Sequence, residues 1–155
     1  MRIIITSGYF NLLHKGHVQY LQQARLLGEK LICIINNDEQ VYLKKSFPFM
    51  ELTERLIVLN ALKPVDLVFP SLDKDTSVIR SIQEIVKLHG KYGEEKNTFI
   101  FAKGGDRYND EIPEAEICKS LKIKIVDGLG EKIQSSSDLI KRVETWNILK
   151  KKSKS

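Results

Sequence analysis

Apolar residues fall into two alternating rhythms along this chain. Short runs rich in β-branched residues occur at Ile3–Ile5, Leu31–Ile35, Leu67–Phe69, Thr98–Phe101 and Ile123–Val126. Between them, apolar positions recur at helical spacing over Val18–Leu27, Leu52–Leu62, Thr76–Leu88 and Ile112–Leu121, and a last helix is predicted from about Ser136 to Leu149. Strands alternating with helices predict an α/β fold whose parallel strands are joined by right-handed crossovers, with helices on both faces. A run such as Ile3-Ile4-Ile5 is apolar on both sides, as a doubly covered strand requires. Ligands of such a sheet bind at the loops that leave the strands, near the point where strand order reverses.

The first of those loops holds the most informative stretch, Thr6-Ser7-Gly8-Tyr9-Phe10-Asn11-Leu12-Leu13-His14-Lys15-Gly16-His17. A buried strand ends there in a polar turn with two histidines, and a helix follows at once. Backbone N–H groups and the helix dipole favour anions at such a junction. Two imidazoles flanking a glycine add side-chain donors, so the turn is a candidate phosphate site.

Three further stretches carry chemistry. After Phe99-Ile100-Phe101-Ala102 comes Lys103-Gly104-Gly105-Asp106-Arg107, in which two glycines allow close backbone approach and charged groups flank them. Read alone, it is a strand-to-helix turn with surface charges; its place at the same sheet edge as the histidines makes it a candidate site. Ser135, Ser136 and Ser137 enter the final helix, where hydroxyls cap the backbone and expose donors to an anion. Lys44 and Lys45 follow the second strand, and Glu54-Arg55 begins a helix leading to Val65-Asp66. Each of these also fits an amphipathic, solvated helix face.

These stretches resemble, in order and spacing, the HxGH nucleotidyltransferases, especially their cytidylyltransferase-like branch. That branch reads Gly-x-Phe-Asp-x-x-His-x-Gly-His where this chain has Gly8-Tyr9-Phe10-Asn11-Leu12-Leu13-His14-Lys15-Gly16-His17. Asn11 replaces the usual aspartate. Lys103-Gly104-Gly105-Asp106 is similar to the turn of heptose-phosphate adenylyltransferases and to the Gly-Asp turn of glycerol-3-phosphate cytidylyltransferases. The serine run is similar to the family's Arg-Thr-x-Gly-Ile-Ser-Thr-Ser signature, although its arginine falls on Gly130 and the nearest cation is Lys132.

The resemblance implies a Rossmann-like five-stranded sheet in the order 3-2-1-4-5, and a single nucleotidyltransferase domain over residues 1–149. It implies that the phosphate of a small phosphomonoester attacks the α-phosphorus of a nucleoside triphosphate and displaces pyrophosphate. His14, His17 and either Lys44 or Lys45 would act on the phosphates. Ser7, Gly8, Tyr9, Phe10, Gly16, Arg55, Gly105, Asp106, Ser135, Ser136 and Ser137 would bind the nucleotide, and Asn11, Lys103 and Arg107 the acceptor. Mg²⁺ would bind through the triphosphate rather than through a protein cage. The family often forms dimers, so a homodimer is expected on the same ground.

Chain length and the segment from Gln134 to Ile140 favour CTP as donor, with glycerol 3-phosphate or another sugar or polyol phosphate as acceptor. Lys103-Gly104-Gly105-Asp106 favours the alternative, ATP with a sugar phosphate such as heptose 1-phosphate. Asn11 and the missing arginine motivate a third reading, a nucleotide-binding regulatory module without turnover.

Composition narrows the picture further. The net charge is +5, and Lys150, Lys151, Lys152 and Lys154 supply four of those charges. The excess is thus a tail effect, expected as a flexible terminus over residues 150–155, and no nucleic-acid partner is expected. Cys33 and Cys118 lack metal-ligand spacing and read as packing residues. His89 suits the end of a helix, beside Gly90, and Trp146 is expected in the core or an interface. No apolar run reaches membrane-spanning length, which gives a cytoplasmic protein as the expectation.

Overall fold

Ile3, Ile4 and Ile5 are all buried in the middle strand of the sheet, where successive side chains enter opposite cores. The computed structural model describes residues 1–105, 112–130 and 135–154. In chain order the elements are β1 (Arg2–Gly8), α1 (Lys15–Arg25), β2 (Lys30–Ile35), α2 (Asp38–Leu43), α3 (Leu52–Asn60), β3 (Leu67–Pro70) and α4 (Ile79–His89). There follow β4 (Lys91–Tyr92), β5 (Glu95–Lys96), β6 (Thr98–Gly104), α5 (Ala115–Ser120), β7 (Lys124–Leu129) and α6 (Ser136–Ser153). The main sheet runs β3-β2-β1-β6-β7, with every pairing parallel. This is the expected order once the small antiparallel pair β4–β5, which lies outside the sheet, is set aside.

Period-two alternation divides the core. Ile3, Ile5, Ile32, Ile34, Phe99 and Phe101 pack against Ile82 and Ile85 of α4 and Cys118 of α5. Ile4, Leu31, Cys33 and Ile35 face the other way, against Leu21 and Ala24 of α1 and Leu59 of α3. The helices therefore cover both faces. Because β1 pairs with β2 on one side and β6 on the other, strand order reverses at β1. The histidine turn and the Lys103 turn leave neighbouring strands at this edge. Tyr20 fastens α1 across the gap by donating its hydroxyl to the Ala102 carbonyl.

Several elements depart from the sequence expectation. α1 starts at Lys15 rather than Val18, because His14 serves as its N-cap. α2 occupies a stretch for which the sequence pattern predicts no helix; the Asn37 side chain accepts from the Gln40 N–H, and Gln40 bonds back to the cap. α6 continues through the lysines to Ser153, where a flexible tail is expected from composition. Lysine is a good helix former, and cations in the last turn complement the dipole. Trp146, expected in the core or an interface, is 61% exposed on α6, which has no buried residue. His89 closes α4 and both cysteines are buried, as expected. Among the described residues, no helix is long and apolar enough to cross a membrane.

Candidate active site

The histidine turn is held together by its own imidazoles. His14 Nδ1 accepts from the Gly16 N–H at 3.1 Å, and His17 Nδ1 accepts from the His14 N–H at 3.2 Å. The two rings stack with centroids 3.8 Å apart and planes at 25°. A neutral imidazole has one ring proton, and a nitrogen that accepts cannot carry it. Both rings therefore carry their proton on Nε2.

Burial, with the neighbouring His14 adding to it, lowers the His17 pKa to about 4. Burial also lowers that of His14, and the Asp138 carboxylate acts in the opposite sense. At neutral pH the pair offers two neutral N–H donors rather than two cations.

Phe10 backs this pair. It is fully buried, meets the His17 ring edge-on at 5.0 Å between centroids, and holds a left-handed backbone with φ 52°. A Cβ on Gly8 would fall 2.9 Å from the Phe10 ring. The spacing of glycine and phenylalanine is therefore steric: the ring that supports His17 lies where a side chain on residue 8 would stand.

Two adjoining clefts open at this edge and share Tyr9 and Lys44. The smaller, about 350 Å³, is lined also by Phe10, Asn11, His17 and Ser136. The larger, about 420 Å³, is lined by Ser7, Gly8, Asn36, Lys103, Gly104 and Glu114 among others. Lys44 Nζ sits 5.0 Å from the centre of the Tyr9 ring. Lys45 is exposed, has a left-handed backbone with φ 55°, and lines neither cleft. Of the two lysines, Lys44 is the one that lines these clefts.

The serine run reaches the same place. Ser135 caps α6 by accepting from the Asp138 N–H at 3.2 Å, and Ser136 donates to the Leu12 carbonyl at 3.0 Å, which ties α6 to the histidine turn. Ser137 is exposed beside them. Gly105 has φ 84°, a conformation that favours glycine. Asp106, Arg107, Lys132 and Gln134 lie outside the described residues.

Two expected ligand contacts are occupied by the protein itself. Asn11 donates to the Phe47 carbonyl at 2.7 Å and accepts from the Met50 N–H at 3.3 Å, pinning the segment after α2. An aspartate cannot make the first of these bonds. Arg55 is completely buried and faces protein acceptors rather than a cleft. It bonds the carbonyls of Met50, Tyr9 and Asn36 at 2.7–2.8 Å and the Asp38 carboxylate at 2.5 Å.

Sequence reasoning passed over Asn36, Thr76 and Glu114, which also line the larger cleft. Asn36 follows directly on β2, so the rule that ligands bind at strand ends points to it. Glu114 carries no such signal; after Pro113 it reads as an ordinary first turn.

Among the described residues, no three His, Cys, Asp or Glu side chains stand together to hold a metal ion.

A histidine pair, a lysine and a serine-bearing helix end thus converge where strand order reverses. The profile of the Cytidylyltransferase-like family matches residues 5–151. The chain belongs to that family. Among curated relatives, it is 35% identical over 133 residues to the bifunctional protein HldE of Photorhabdus laumondii, covering 78% of this chain and 28% of that protein. It is 44% identical over 112 residues to HldE of Nitrosococcus oceani, covering 71% and 21%. For HldE of Yersinia enterocolitica the identity is 32% over 141 residues, covering 83% and 29%. The chain thus spans under a third of the length of these relatives. A lipopolysaccharide core biosynthesis protein from Thermoplasma volcanium shares the fold, with TM-score 0.64 and 21% identity over 85% of this chain and 99% of that one.

Proposed function

We propose that this member of the cytidylyltransferase-like family transfers a nucleotidyl group from a nucleoside triphosphate to a sugar phosphate, releasing pyrophosphate, and that its donor is ATP. The observation that carries the reading is the stacked pair of neutral imidazoles beside a cleft that His17 shares with Lys44 and Ser136. Neutral Nε2–H donors suit oxygens whose charge grows in the transition state. The acceptor phosphate is already an anion, so no general base is needed. Its oxygen bonds to the α-phosphorus as the bond to the pyrophosphate oxygen breaks. Lys44 and the N-terminus of α6 hold the departing pyrophosphate. Mg²⁺ arriving with the triphosphate would screen its charge.

Three features favour adenine over the cytosine expected from the sequence. Lys103-Gly104-Gly105-Asp106 is shared with heptose-phosphate adenylyltransferases, and the relatives described above are HldE proteins. The position matching the cytidylyltransferase arginine is Gly130, whose φ of 76° strains any L side chain.

A pyrophosphate-release screen crossing ATP, CTP, GTP and UTP with heptose 1-phosphate, other sugar phosphates and glycerol 3-phosphate tests the reading. The highest kcat/KM is expected for ATP with a sugar phosphate. Nucleotide binding without pyrophosphate release across the panel would instead establish a regulatory module.

A further inference from the structure

The larger cleft contains a buried carboxylate whose bonding is half complete. Glu114 is 4% exposed and lines this cleft. Its Oε1 accepts from the Val78 N–H at 3.0 Å, which fixes the side chain in one orientation. Its Oε2 is buried and has no hydrogen-bond partner among the described residues. Leaving such an oxygen unsatisfied is costly, so the position calls for a donor. The Tyr9 hydroxyl, in the wall of the same cleft, is also buried and has no hydrogen-bond partner among the described residues. Burial, then the nearby Glu114 charge, raise the Tyr9 pKa, so its phenol keeps its proton.

The wall of the cleft therefore presents one fixed acceptor and one donor that are not bonded to each other. A hydroxyl group matches this pair, because it donates to one oxygen and accepts from the other. Lys103, whose cation suits the phosphate of the same molecule, lines this cleft and not the adjoining one. His17 and Ser136 line the adjoining cleft instead, and the acceptor is assigned to this one.

Resting on the nucleotidyl-transfer reading, we propose that Glu114 is a specificity-determining residue that, with Tyr9, binds a hydroxyl on the carbon skeleton of the acceptor and selects polyhydroxylated phosphomonoesters.

The test is calorimetric binding, which requires no turnover. Wild-type protein and the Glu114→Gln and Tyr9→Phe variants are titrated with glycerol 3-phosphate and a set of aldose 1-phosphates. Propyl phosphate, which has the phosphate without hydroxyls, is the control. Glutamine keeps the acceptor for Val78 and the side-chain shape, and phenylalanine keeps the ring beneath Lys44. In the wild type, at least one hydroxylated ligand is expected to bind about 10-fold or more tightly than propyl phosphate, the scale for a hydrogen bond to a charged group. That advantage is expected to vanish in Glu114→Gln and to shrink in Tyr9→Phe, with propyl phosphate binding unchanged.

Equal binding of hydroxylated and deoxy ligands by the wild type would overturn the proposal and leave a water as the occupant. So would an advantage that survives Glu114→Gln. Titration with ATP and its 2′- and 3′-deoxy analogues separates the other source of hydroxyls: a Glu114→Gln effect confined to the ribose would overturn the assignment to the acceptor. Failure of nucleotidyl transfer shows up separately, as absent pyrophosphate release beside an intact hydroxyl preference.

Discussion

Replacing His17 by alanine is expected to lower kcat by about 10²-fold or more, the scale for losing one preorganised donor to a developing charge. The effect follows from the Nε2–H tautomer, which the Nδ1 bond to the His14 N–H enforces. In the variant that donor is gone, and water entering the half-buried space is not preorganised. Alanine also leaves the His14 N–H without its cap partner, at a cost of about 1 kcal/mol, a typical value for losing a cap. Binding of the nucleotide ground state should change less than kcat, because the donor acts most strongly where charge develops. Steady-state pyrophosphate release, with a thermal melt on the same preparation, separates the two effects. Turnover within about threefold of wild type, on the 1.4 kcal/mol-per-decade scale of rate constants, would remove His17 from the chemistry.

The second large effect is on stability. Arg55→Leu is expected to cost about 3–5 kcal/mol, the range for breaking a buried charge pair from one side. Four hydrogen bonds are lost at once, and three of their acceptors are backbone carbonyls in different segments: Met50, Tyr9 and Asn36. The fourth, on Asp38, lies in the first turn of α2. Lysine should not rescue, since one ammonium cannot reach acceptors arranged around a planar guanidinium. Tyr9 and Asn36 line the clefts, so activity should fall with stability even though Arg55 itself lines neither cleft. Urea denaturation of Arg55→Leu, Arg55→Lys and wild type checks this. A loss below about 1 kcal/mol, the level of an average substitution, would mean that the carbonyls find other partners.

Both rhythms in the sequence proved legible because they are set by burial. All five sheet strands lie where β-branched runs predict them, and their order follows from the family resemblance. What escaped was decided by local side-chain chemistry or by packing at a distance. The start of α1 was hidden because an imidazole, not a hydroxyl or carboxylate, caps it. The Asn37–Gln40 capping box was in plain view, yet six residues give too little periodicity to mark a helix. Arg55 shows the limit most clearly. Its position on a helix was legible, but a charged residue at such a place reads as facing solvent or ligand, and only packing reveals three carbonyls converging on it. Glu114 had no signal at all, because its role depends on Val78 and Tyr9, which are distant in sequence.

The two histidines are best tested directly at their ring nitrogens. The chain has three histidines, so a long-range ¹H–¹⁵N correlation spectrum of the imidazoles is readily assigned with His→Gln variants. At pH 7, His14 and His17 should both be neutral Nε2–H tautomers, His17 should titrate near pH 4, and both Nε2 resonances should shift when ATP is added. Nδ1–H tautomers, charged rings at neutral pH, or Nε2 signals indifferent to the triphosphate would contradict a phosphate-gripping imidazole pair.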